Sequence, residues 1–362
     1  MFLKNLLKSR SSSYNFQKRF IKTLSLKFSG NGEPTQVLEM VEEELPEPEN
    51  NQVLVRVLMA PINPSDINII QGRYPLQPAQ LPATAGNEFV GEIVQMGDKV
   101  ENFAIKEQVV AYESGLGTWS QYLLLNAEQI YAVPYELPLT AAATLTINPC
   151  TAYRMLKDFV KLKPGDCIIQ NGANSAVGQA VHQLCKYWGL KSVGVVRERP
   201  ELVKLKQDLL RLGATEIFTE EELVKTQLFK NGCLPKPRLA LNCVGGESAS
   251  NIAKLLDYQG IMVTYGGMAR KPISVPIGPL IFKKHIYQGF WITEWVKRNK
   301  CTWVRSYMLK DIIQLMLGKE FIAPKHTLIP FQQYKAHAQQ ALTLASKTNR
   351  KFIFDMRENE CN

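Results

Sequence analysis

The sequence contains few of the residues from which metal centres and disulfide frameworks are built. It has four histidines, scattered along the chain, and seven cysteines in 362 residues, and no two cysteines have the C-x-x-C spacing. This pattern argues against a zinc site. Because most of the cysteines stand in apolar segments, we interpret them as small core residues of a protein in a reducing compartment. We therefore expect no bound metal.

Long apolar runs are also missing. No stretch of about eighteen consecutive apolar residues occurs, which is the length that a membrane-spanning helix needs. We therefore expect no membrane insertion. The composition, with 45% hydrophobic and 21% charged residues, is ordinary for a globular protein, and 362 residues suffice for two domains with proper cores.

Acidic residues are absent from the first 32 positions, where seven of the 43 basic residues lie. The net charge of +10 therefore comes mostly from this leader, and the rest of the chain is close to neutral. A nucleic-acid-binding face is not required by such a distribution. A basic, serine-rich, acid-free leader is typical of a mitochondrial transit peptide, with a disordered basic tail as the alternative. We predict a transit peptide over residues 1–25 and a location in the mitochondrial matrix.

The most informative segment that is present is the small-residue turn at 170–178. It follows the apolar run 167–169 and precedes a helix-like stretch. Strand, tight turn and helix in this order place a pyrophosphate on a helix N-terminus. Gly172 and Gly178 keep two of the three usual glycines, and Ser175 occupies the middle position. A turn that only packs a helix against a strand is the alternative.

Alternating strand and helix patterns continue after this turn. The expected strands are 191–196, 238–244 and 260–265, and the expected helices are 179–190, 201–212 and 247–257. This alternation predicts an α/β fold with a doubly wound parallel sheet, the Rossmann arrangement. Its ligand would lie at the carboxyl ends of the strands, where Gly172, Arg197 and Tyr265 would converge.

A different pattern fills the chain before position 150. Short alternating runs, separated by proline and glycine, occur at 52–59, 89–94, 108–112 and 119–125. They predict an antiparallel, barrel-like β domain. Residues 351–354 form a further apolar run that could return to this domain as a strand.

The order of β domain, Rossmann domain and return strand resembles the medium-chain dehydrogenase/reductase superfamily. The match is close to the mitochondrial trans-2-enoyl thioester reductases of its zinc-free, quinone oxidoreductase-like branch. The motifs that carry the resemblance are 62–68, 71–75, 86–88, 148–156, 241–246, 265–268 and 289–293. The resemblance implies a GroES-like catalytic β-barrel domain over 26–150, completed by 333–362, and a Rossmann domain over 151–332.

The implied activity is the NADPH-dependent reduction of trans-2-enoyl thioesters, carried by acyl carrier protein or coenzyme A, in mitochondrial fatty acid synthesis. The resemblance also implies a homodimer, joined at the sheet edge around 286–290. A basic cluster follows this region and consists of Lys297, Arg298 and Lys300. It would bind an acidic carrier protein, and a solvated loop that only ends the strand is the alternative. A quinone or enone reductase of the same fold and a non-catalytic binding protein are the alternatives.

Tyr74 is the residue that the resemblance implies as proton donor. Hydride addition at C3 of the conjugated thioester leaves an enolate, which takes a proton at C2, and a neutral tyrosine can supply it. Considered without the resemblance, Tyr74 would be an exposed loop tyrosine beside Pro75.

Arg197 and Arg199 stand about twenty residues after the glycine turn, where an NAD-binding fold usually has an acid. Guanidinium groups at this position suit the 2′-phosphate of NADPH through forked, charge-assisted hydrogen bonds. Glu198 lies between them, so a mixed-charge surface turn is the alternative. We predict NADPH as the cofactor.

The resemblance implies further cofactor contacts, whose local alternatives stay open. Asn148 would otherwise be a helix N-cap before Pro149, a lone lysine is usually solvated, and an aromatic pair at 290–291 could line an acyl pocket or belong to a strand core. Two departures from the family pattern are Phe89 and Ala176. The implied contacts are Asn148, Asn174, Ser175, Ala176, Val177, Glu198, Tyr265, Gly266, Gly267, Met268, Phe290, Trp291, Ile292, Thr293 and Lys351.

Overall fold

The structure is a computed structural model that describes residues 20–300, 302–335 and 350–357. The expected leader lies outside the described residues up to position 19. Residues of the first strand, which begins at Ile21, are part of the folded protein: Thr23 and Ser25 are buried. The expected end of the leader at residue 25 therefore falls inside a paired strand.

The first part of the chain forms two antiparallel sheets. Strands β1, β2 and β4 make a small sheet in the order β2-β1-β4, and β3, β5, β6 and β8 lie in a larger one, with β7 paired to β3. The elements are β1 (Ile21–Phe28), α1 (Pro34–Val37), β2 (Leu38–Leu45), β3 (Gln52–Pro61), α2 (Pro64–Ile70), β4 (Ala83–Thr84), β5 (Val90–Met96), β6 (Gln108–Ala111), β7 (Tyr122–Asn126), β8 (Ile130–Ala132) and α3 (Leu139–Ala143).

The second part alternates helices and parallel strands, as the sequence predicts. Its six strands form one sheet in the order β11-β10-β9-β12-β13-β14, and every neighbouring pair is parallel. The elements are α4 (Asn148–Asp158), β9 (Cys167–Asn171), α5 (Ala176–Tyr187), β10 (Lys191–Val196), α6 (Leu202–Arg211), β11 (Glu216–Thr219), α7 (Glu220–Lys225), β12 (Leu239–Asn242), α8 (Gly246–Lys254), β13 (Ile261–Thr264), α9 (Ile277–Phe282), β14 (Ile286–Gly289), α10 (Ile292–Arg298) and α11 (Trp303–Leu317).

The end of the chain returns to the larger sheet of the first part through β15 (His326–Pro330) and β16 (Lys351–Asp355). Strand β16 pairs antiparallel with β3, with Ile353 opposite Pro61, and β15 pairs parallel with β16. The return strand expected from the apolar run at 351–354 is confirmed. The chain enters the sheet already at His326, ahead of position 333.

One apolar core joins the two parts. Leu58 and Val90 of the larger antiparallel sheet share a buried cluster with Val181 of α5 and Ile312 of α11. Their contact buries apolar surface of both parts, which stabilises a fixed arrangement of the two domains. None of the described helices is long and apolar enough to cross a bilayer.

Candidate active site

Tyr74 and Trp291 meet in a hydrogen-bonded pair. Tyr74 lies in the loop after α2, and Trp291 is the residue that precedes α10. The indole Nε1–H donates to the Tyr74 hydroxyl oxygen at 2.7 Å, and the two rings lie edge to face with centroids 5.7 Å apart. The structure thus rejects the alternative in which Tyr74 is an exposed loop residue, because its ring is half-buried. Since the phenol oxygen accepts here, its own proton remains available to a third group.

The surroundings of Tyr74 keep its phenol protonated at neutral pH. Burial raises the pKa of Tyr74, hydrogen bonding with Trp291 and Thr293 lowers it, and the charge of Asp66 raises it again. The net effect is a pKa of Tyr74 above that of a free phenol. A protonated phenol that loses its proton would leave a phenolate on which the Trp291 N–H already acts, so this pair is arranged for proton donation.

The glycine turn has the geometry of a tight strand-to-helix connection. Gly172 has φ +59°, a value that favours glycine, and a Cβ there would lie 2.4 Å from the Cys243 Sγ. At Gly178 a Cβ would lie 2.5 Å from the Ala173 carbonyl oxygen. Both glycines are therefore required for the close approach of helix and strand.

Helix α5 begins at Ala176, three residues earlier than the sequence pattern indicates. Ser175 is its N-cap, and its hydroxyl oxygen accepts from the Gly178 N–H at 3.1 Å. Ala176 and Val177 are the first two helical residues, so backbone N–H groups at this helix N-terminus face the carboxyl end of the sheet. The Asn174 carbonyl accepts from the Gln179 side chain at 2.8 Å, which braces the turn.

The residues after β13 supply an unsatisfied polar atom at the same edge. The Tyr265 hydroxyl is buried and has no hydrogen-bond partner among the described residues, although Cys243 and Ser175 lie nearby. Burial raises the pKa of Tyr265, so the hydroxyl is an available donor. Gly267 has open space where a Cβ would stand. A buried donor beside an open backbone and a helix N-terminus fits a phosphate-bearing dinucleotide.

Gly172, Arg197 and Tyr265 follow β9, β10 and β13, whose carboxyl ends lie at one edge of the parallel sheet. The three positions therefore lie at the same end of the sheet, as the sequence pattern predicts for a ligand site. Arg197 is exposed, and the Arg199 Nε donates to the Arg197 carbonyl oxygen at 3.4 Å. Glu198 between them is also exposed, whereas Arg199 is partly buried.

Lys351 and Asn148 lie together in a buried polar network, and neither has the role that its local sequence indicates. The Lys351 ammonium donates to the Asn63 Oδ1 at 2.5 Å, and the Asn148 Nδ2 donates to the same oxygen at 3.2 Å. Ile147, not Asn148, is the N-cap of α4. Burial lowers the pKa of Lys351, while the charges of Glu88 and Asp66 raise it.

The acidic members of this network are functional candidates that the sequence reasoning did not assign. Asp66 accepts from the Asn63 backbone N–H at 2.6 Å and from the Asn87 Nδ2 at 2.5 Å. Glu88 accepts from the Asn63 Nδ2 at 2.8 Å and from the Ile147 N–H at 2.7 Å. An asparagine with an acid three residues later, as at 63–66, is a capping-box pattern that could have indicated part of this arrangement.

The remaining expected contacts lie in two segments, one after β13 and one after β14. Phe290 packs edge to face against Phe159, with ring centroids 5.9 Å apart, and Ile292 and Thr293 are buried in the first turn of α10. Met268 is exposed, and its N–H donates to the Cys243 carbonyl at 2.9 Å, as part of the turn that includes Gly266. Trp291 and Phe290 follow β14, so neither belongs to a strand core.

The basic cluster after Trp291 is partly neutralised. Arg298 pairs with Glu294 at 2.9 Å, and Lys300 pairs with Glu113 at 2.9 Å and with Glu128 at 3.2 Å. Lys297 is exposed on the same helix. As for metals, no group of three or more His, Cys, Asp or Glu side chains that could hold an ion occurs within the described part of the chain.

Two family models match the sequence. The alcohol dehydrogenase GroES-like domain matches residues 49–135, and the zinc-binding dehydrogenase domain matches residues 176–306. A solved complex of Etr1p with NADP and crotonyl-CoA superposes with a TM-score of 0.85 and 32% identity, over 92% of this chain and all of that one. The mitochondrial 2-enoyl thioester reductase Etr1p/Etr2p heterodimer of Candida tropicalis gives the same TM-score, identity and coverage.

Sequence comparison agrees with the structural match. The mitochondrial enoyl-[acyl-carrier-protein] reductase of Xenopus tropicalis is 44% identical over 323 residues, which covers 88% of this chain and 91% of the relative. This identity, over most of both chains, establishes the family of the protein together with the two-domain fold. The chain belongs to the mitochondrial enoyl-[acyl-carrier-protein] reductases of the medium-chain dehydrogenase/reductase superfamily.

Proposed function

We propose that this protein reduces trans-2-enoyl thioesters to saturated acyl thioesters with NADPH, in the mitochondrion. The observation that carries the proposal is the Tyr74–Trp291 pair, in which the phenol accepts the indole N–H and keeps its own proton to donate. A relative of the same fold was solved with NADP and crotonyl-CoA, a cofactor and an enoyl thioester of this class.

The cofactor supplies a hydride for C3 of the substrate. The chain's own residues bind and orient the reactants. The N-terminus of α5 with Ser175 takes the pyrophosphate, the Tyr265 hydroxyl supplies a buried donor, and Arg197 with Arg199 takes the 2′-phosphate.

Proton transfer is the task of Tyr74. As negative charge develops on the thioester enolate, the phenol donates its proton to C2 and becomes a phenolate. The Trp291 Nε1–H stabilises that phenolate through the bond it already makes at 2.7 Å. Solvent then returns a proton to the phenolate, so that the residue ends the cycle in its starting state.

The direct test compares two electron acceptors. NADPH oxidation is followed with crotonyl-CoA and with a quinone, in the wild type and in Tyr74→Phe. We expect thioester reduction by the wild type and its loss in the variant. A protein that reduces the quinone but not the thioester, with no effect of the substitution, would be a quinone reductase of the same fold. Absence of NADPH binding would indicate a non-catalytic binding protein.

An acyl carrier protein is the substrate carrier that we propose, with the basic cluster at Lys297, Arg298 and Lys300 as part of its docking surface. The cluster lies on and after α10, the helix that follows Trp291. Two of its cations form ion pairs with carboxylates of this chain. The cluster would therefore act mainly on the rate at which the carrier protein meets the enzyme, and most strongly at low salt.

Charge reversal at all three positions of the cluster should slow reduction of the carrier-bound substrate, most strongly at low salt, and leave reduction of a short thioester without phosphate groups unchanged. Charge reversal at the exposed Lys225, Lys230 and Lys236 provides the matched control. An equal effect on both substrates would assign the cluster a structural role.

A homodimer joined at β14 is the assembly that we propose. β14 is the edge strand of the six-stranded sheet, and Ile286 in it is exposed. The preceding helix α9 adds Ile277, Ile281 and Phe282 to this apolar surface, with Phe282 80% exposed. An unpaired strand edge beside exposed apolar side chains favours pairing with a second copy.

The assembly is tested by measuring molar mass with light scattering. Phe282→Glu with Ile286→Lys should give a monomer, whereas Val203→Lys, at an exposed apolar residue on α6, should not change the mass. A monomeric wild type, or a dimer that survives the double substitution, would contradict this interface.

We propose that the mitochondrial leader ends before Ile21, where β1 begins. Removal of residues 1–25 would delete most of a strand that pairs with β2 along its whole length. The strand placement likewise supports a catalytic domain that ends at about residue 147 and resumes at His326, with the cofactor domain between. A reporter fused to residues 1–32 should enter mitochondria, and N-terminal sequencing of the mature protein should find its first residue at or before Ile21.

A further inference from the structure

Asp66 is a buried carboxylate that does not reach Tyr74 through any direct hydrogen bond, yet its contacts lead to both sides of the Tyr74–Trp291 pair. Its side chain is 1% exposed, and each of its two oxygens accepts one N–H. The first contact is within its own helix, and the second crosses to a different segment of the β domain.

The first contact fixes the segment that carries Tyr74. The Asp66 Oδ2 accepts from the Asn63 backbone N–H at 2.6 Å and so closes the capping box of α2. Helix α2 runs directly into the loop of Tyr74, and the Arg73 N–H donates to the Asn68 carbonyl at 2.8 Å. The start of the Tyr74 loop is therefore tied to the end of the helix that Asp66 caps.

The second contact reaches the opposite side. The Asp66 Oδ1 accepts from the Asn87 Nδ2 at 2.5 Å, and the Asn87 Oδ1 accepts from the Gly115 N–H at 2.7 Å. Gly115 has φ +86°, and a Cβ there would lie 3.2 Å from the Leu76 side chain of the Tyr74 loop. The turn at Gly115 therefore packs against that loop.

The residue before Gly115 completes the connection. The Thr293 hydroxyl donates to the Ser114 hydroxyl at 3.4 Å, and Thr293 stands two residues after Trp291 at the start of α10. Hydrogen bonding with Thr293 also acts on Tyr74. The path from Asp66 through Asn87 to the turn at 114–115 thus ends at Thr293, two residues after Trp291, the indole partner of the phenol.

We propose that Asp66, with Asn87 and the Gly115 N–H, forms a hydrogen-bond bridge that positions Tyr74 against Trp291 for proton transfer to C2. The inference rests on the proposed function, and it makes Asp66 and Asn87 positioning residues. The other charged groups beside Asp66 are Glu88 and Lys351, which belong to the branch of the network at Asn63.

The direction of each bond makes the bridge testable. In Asp66→Asn the new amide keeps one oxygen for the Asn63 N–H but turns an N–H toward the Asn87 Nδ2, and two donors cannot bond. If Asn87 rotates to accept, its Nδ2 faces the Gly115 N–H instead, and the second bond is lost. The double substitution Asp66→Asn with Asn87→Asp satisfies both bonds again, because a carboxylate at position 87 accepts from both sides.

The experiment measures where the proton arrives as well as how fast. Crotonyl-CoA is reduced in D₂O with a cofactor that carries deuterium at the transferred position, and the relative configuration at C2 and C3 is read by NMR. Asp166→Asn is the matched control, because Asp166 also accepts from a backbone N–H three residues earlier, at 2.8 Å, but braces the loop before β9 at the other end of the sheet.

We expect Asp66→Asn to lower kcat by about 10- to 100-fold, the range for a misplaced reacting group, and to give both configurations at C2. NADPH affinity should stay within about threefold. The swapped double variant should recover kcat and the single configuration, and Asp166→Asn should behave as the wild type. Recovery in the double variant would identify the lost hydrogen bonds as the cause of the defect. If Asp66→Asn were impaired only because the protein is less stable, the second substitution would not bring back a single configuration at C2.

Three results would overturn the bridge. The first is a single configuration and unchanged kcat in Asp66→Asn. The second is a swapped variant that binds NADPH and melts as the wild type does but stays impaired, which would assign the effect to the position of the charge. The third is an equal loss in Asp166→Asn. A wild type that reduces no enoyl thioester would instead contradict the proposed function, so the two failures are distinguishable.

Discussion

The two halves of the site differ in how far apart in the sequence their parts lie. The cofactor half is mostly local: the turn from Gly172 to Gly178 and the arginines after β10 occur within about thirty residues, and only Tyr265 joins them from farther along the chain. The proton-donor half is assembled across the whole chain, because Trp291 stands 217 positions after Tyr74, and Lys351 stands 288 positions after its partner Asn63. A local half depends on turn geometry, and a distributed half depends on how the domains pack.

This difference separates the expected effects of substitution. Changes at the strand ends should alter cofactor affinity and leave the proton step intact. Changes where the two domains meet, at the Tyr74–Trp291 pair, should alter the rate of proton transfer. Small displacements of a reacting group lower the rate strongly, whereas binding contacts tolerate them. The predictions below test that separation, from the largest effect to the smallest.

Tyr74→Phe should lower kcat by about 10²–10⁴-fold, the usual cost of removing a general acid, with NADPH affinity nearly unchanged. Steady-state turnover with crotonyl-CoA and cofactor titration provide the two values. Tyr135→Phe, which removes an exposed hydroxyl bonded to the Lys106 carbonyl at 2.6 Å, is the control. Wild-type turnover in the Tyr74 variant would remove Tyr74 from the mechanism.

Arg197→Ala with Arg199→Ala should weaken NADPH binding about 100-fold or more, since hydrogen bonds to a charged group contribute about 1.5–3 kcal/mol each. NADH affinity should change little, because NADH has no 2′-phosphate, and kcat at saturating NADPH should hold. Arg211→Ala, at an exposed arginine of α6, is the matched control. Equal losses for both cofactors, measured by fluorescence titration, would exclude a 2′-phosphate role.

Trp291→Phe keeps an aromatic ring beside Tyr74 but removes the N–H that bonds to the phenol. The expected loss in kcat is about 10-fold, corresponding to one hydrogen bond that strengthens as the phenolate forms. The pKa of Tyr74 should rise further, since that bond lowers it. Spectroscopic titration of the phenol checks the shift, and a fall in the pKa would contradict the assigned direction of the bond.

The last prediction concerns stability against pH instead of turnover. Burial raises the pKa of Asp66 to about 7, while bonds from Asn63 and Asn87 and the charge of Lys351 lower it and the charge of Glu88 raises it. A carboxyl group whose folded pKa is raised gives stability below its unfolded pKa and loses it as pH rises through about 7. The free energy of unfolding of the wild type should therefore fall relative to Asp66→Asn between about pH 4 and 7. Denaturant titration at several pH values measures the difference, and a constant difference would contradict it.

The sequence predicts the cofactor domain well because its signals are local. A buried parallel strand has a short apolar run as its sequence pattern. The predicted strands therefore lie within a residue or two of the observed ones at 191–196, at 260–265 and at the sheet edge near 286. The predicted start of α5 was wrong by three residues, because Ser175 caps the helix before the apolar pattern of the sequence begins.

The environment of the proton-donor half could not be predicted in the same way. Lys351 is a lone cation in an apolar strand, and only the return of β16 beside β3 buries it against Asn63. Asn148 precedes a proline and has the local pattern of a cap, but its side chain turns instead to Asn63. In both cases a partner from a distant segment outweighs the local preference.

The central claim is that a phenol held by an indole N–H delivers the C2 proton to an enoyl thioester reduced by NADPH. Its most direct test is reduction of crotonyl-CoA by the wild type in D₂O, with deuterium at the transferred position of the cofactor and NMR of the product. One deuteron at C3 and one at C2 in a single relative configuration is the expected result, with loss of that selectivity in Tyr74→Phe. Both configurations at C2 in the wild type, or full selectivity in the variant, would contradict the account.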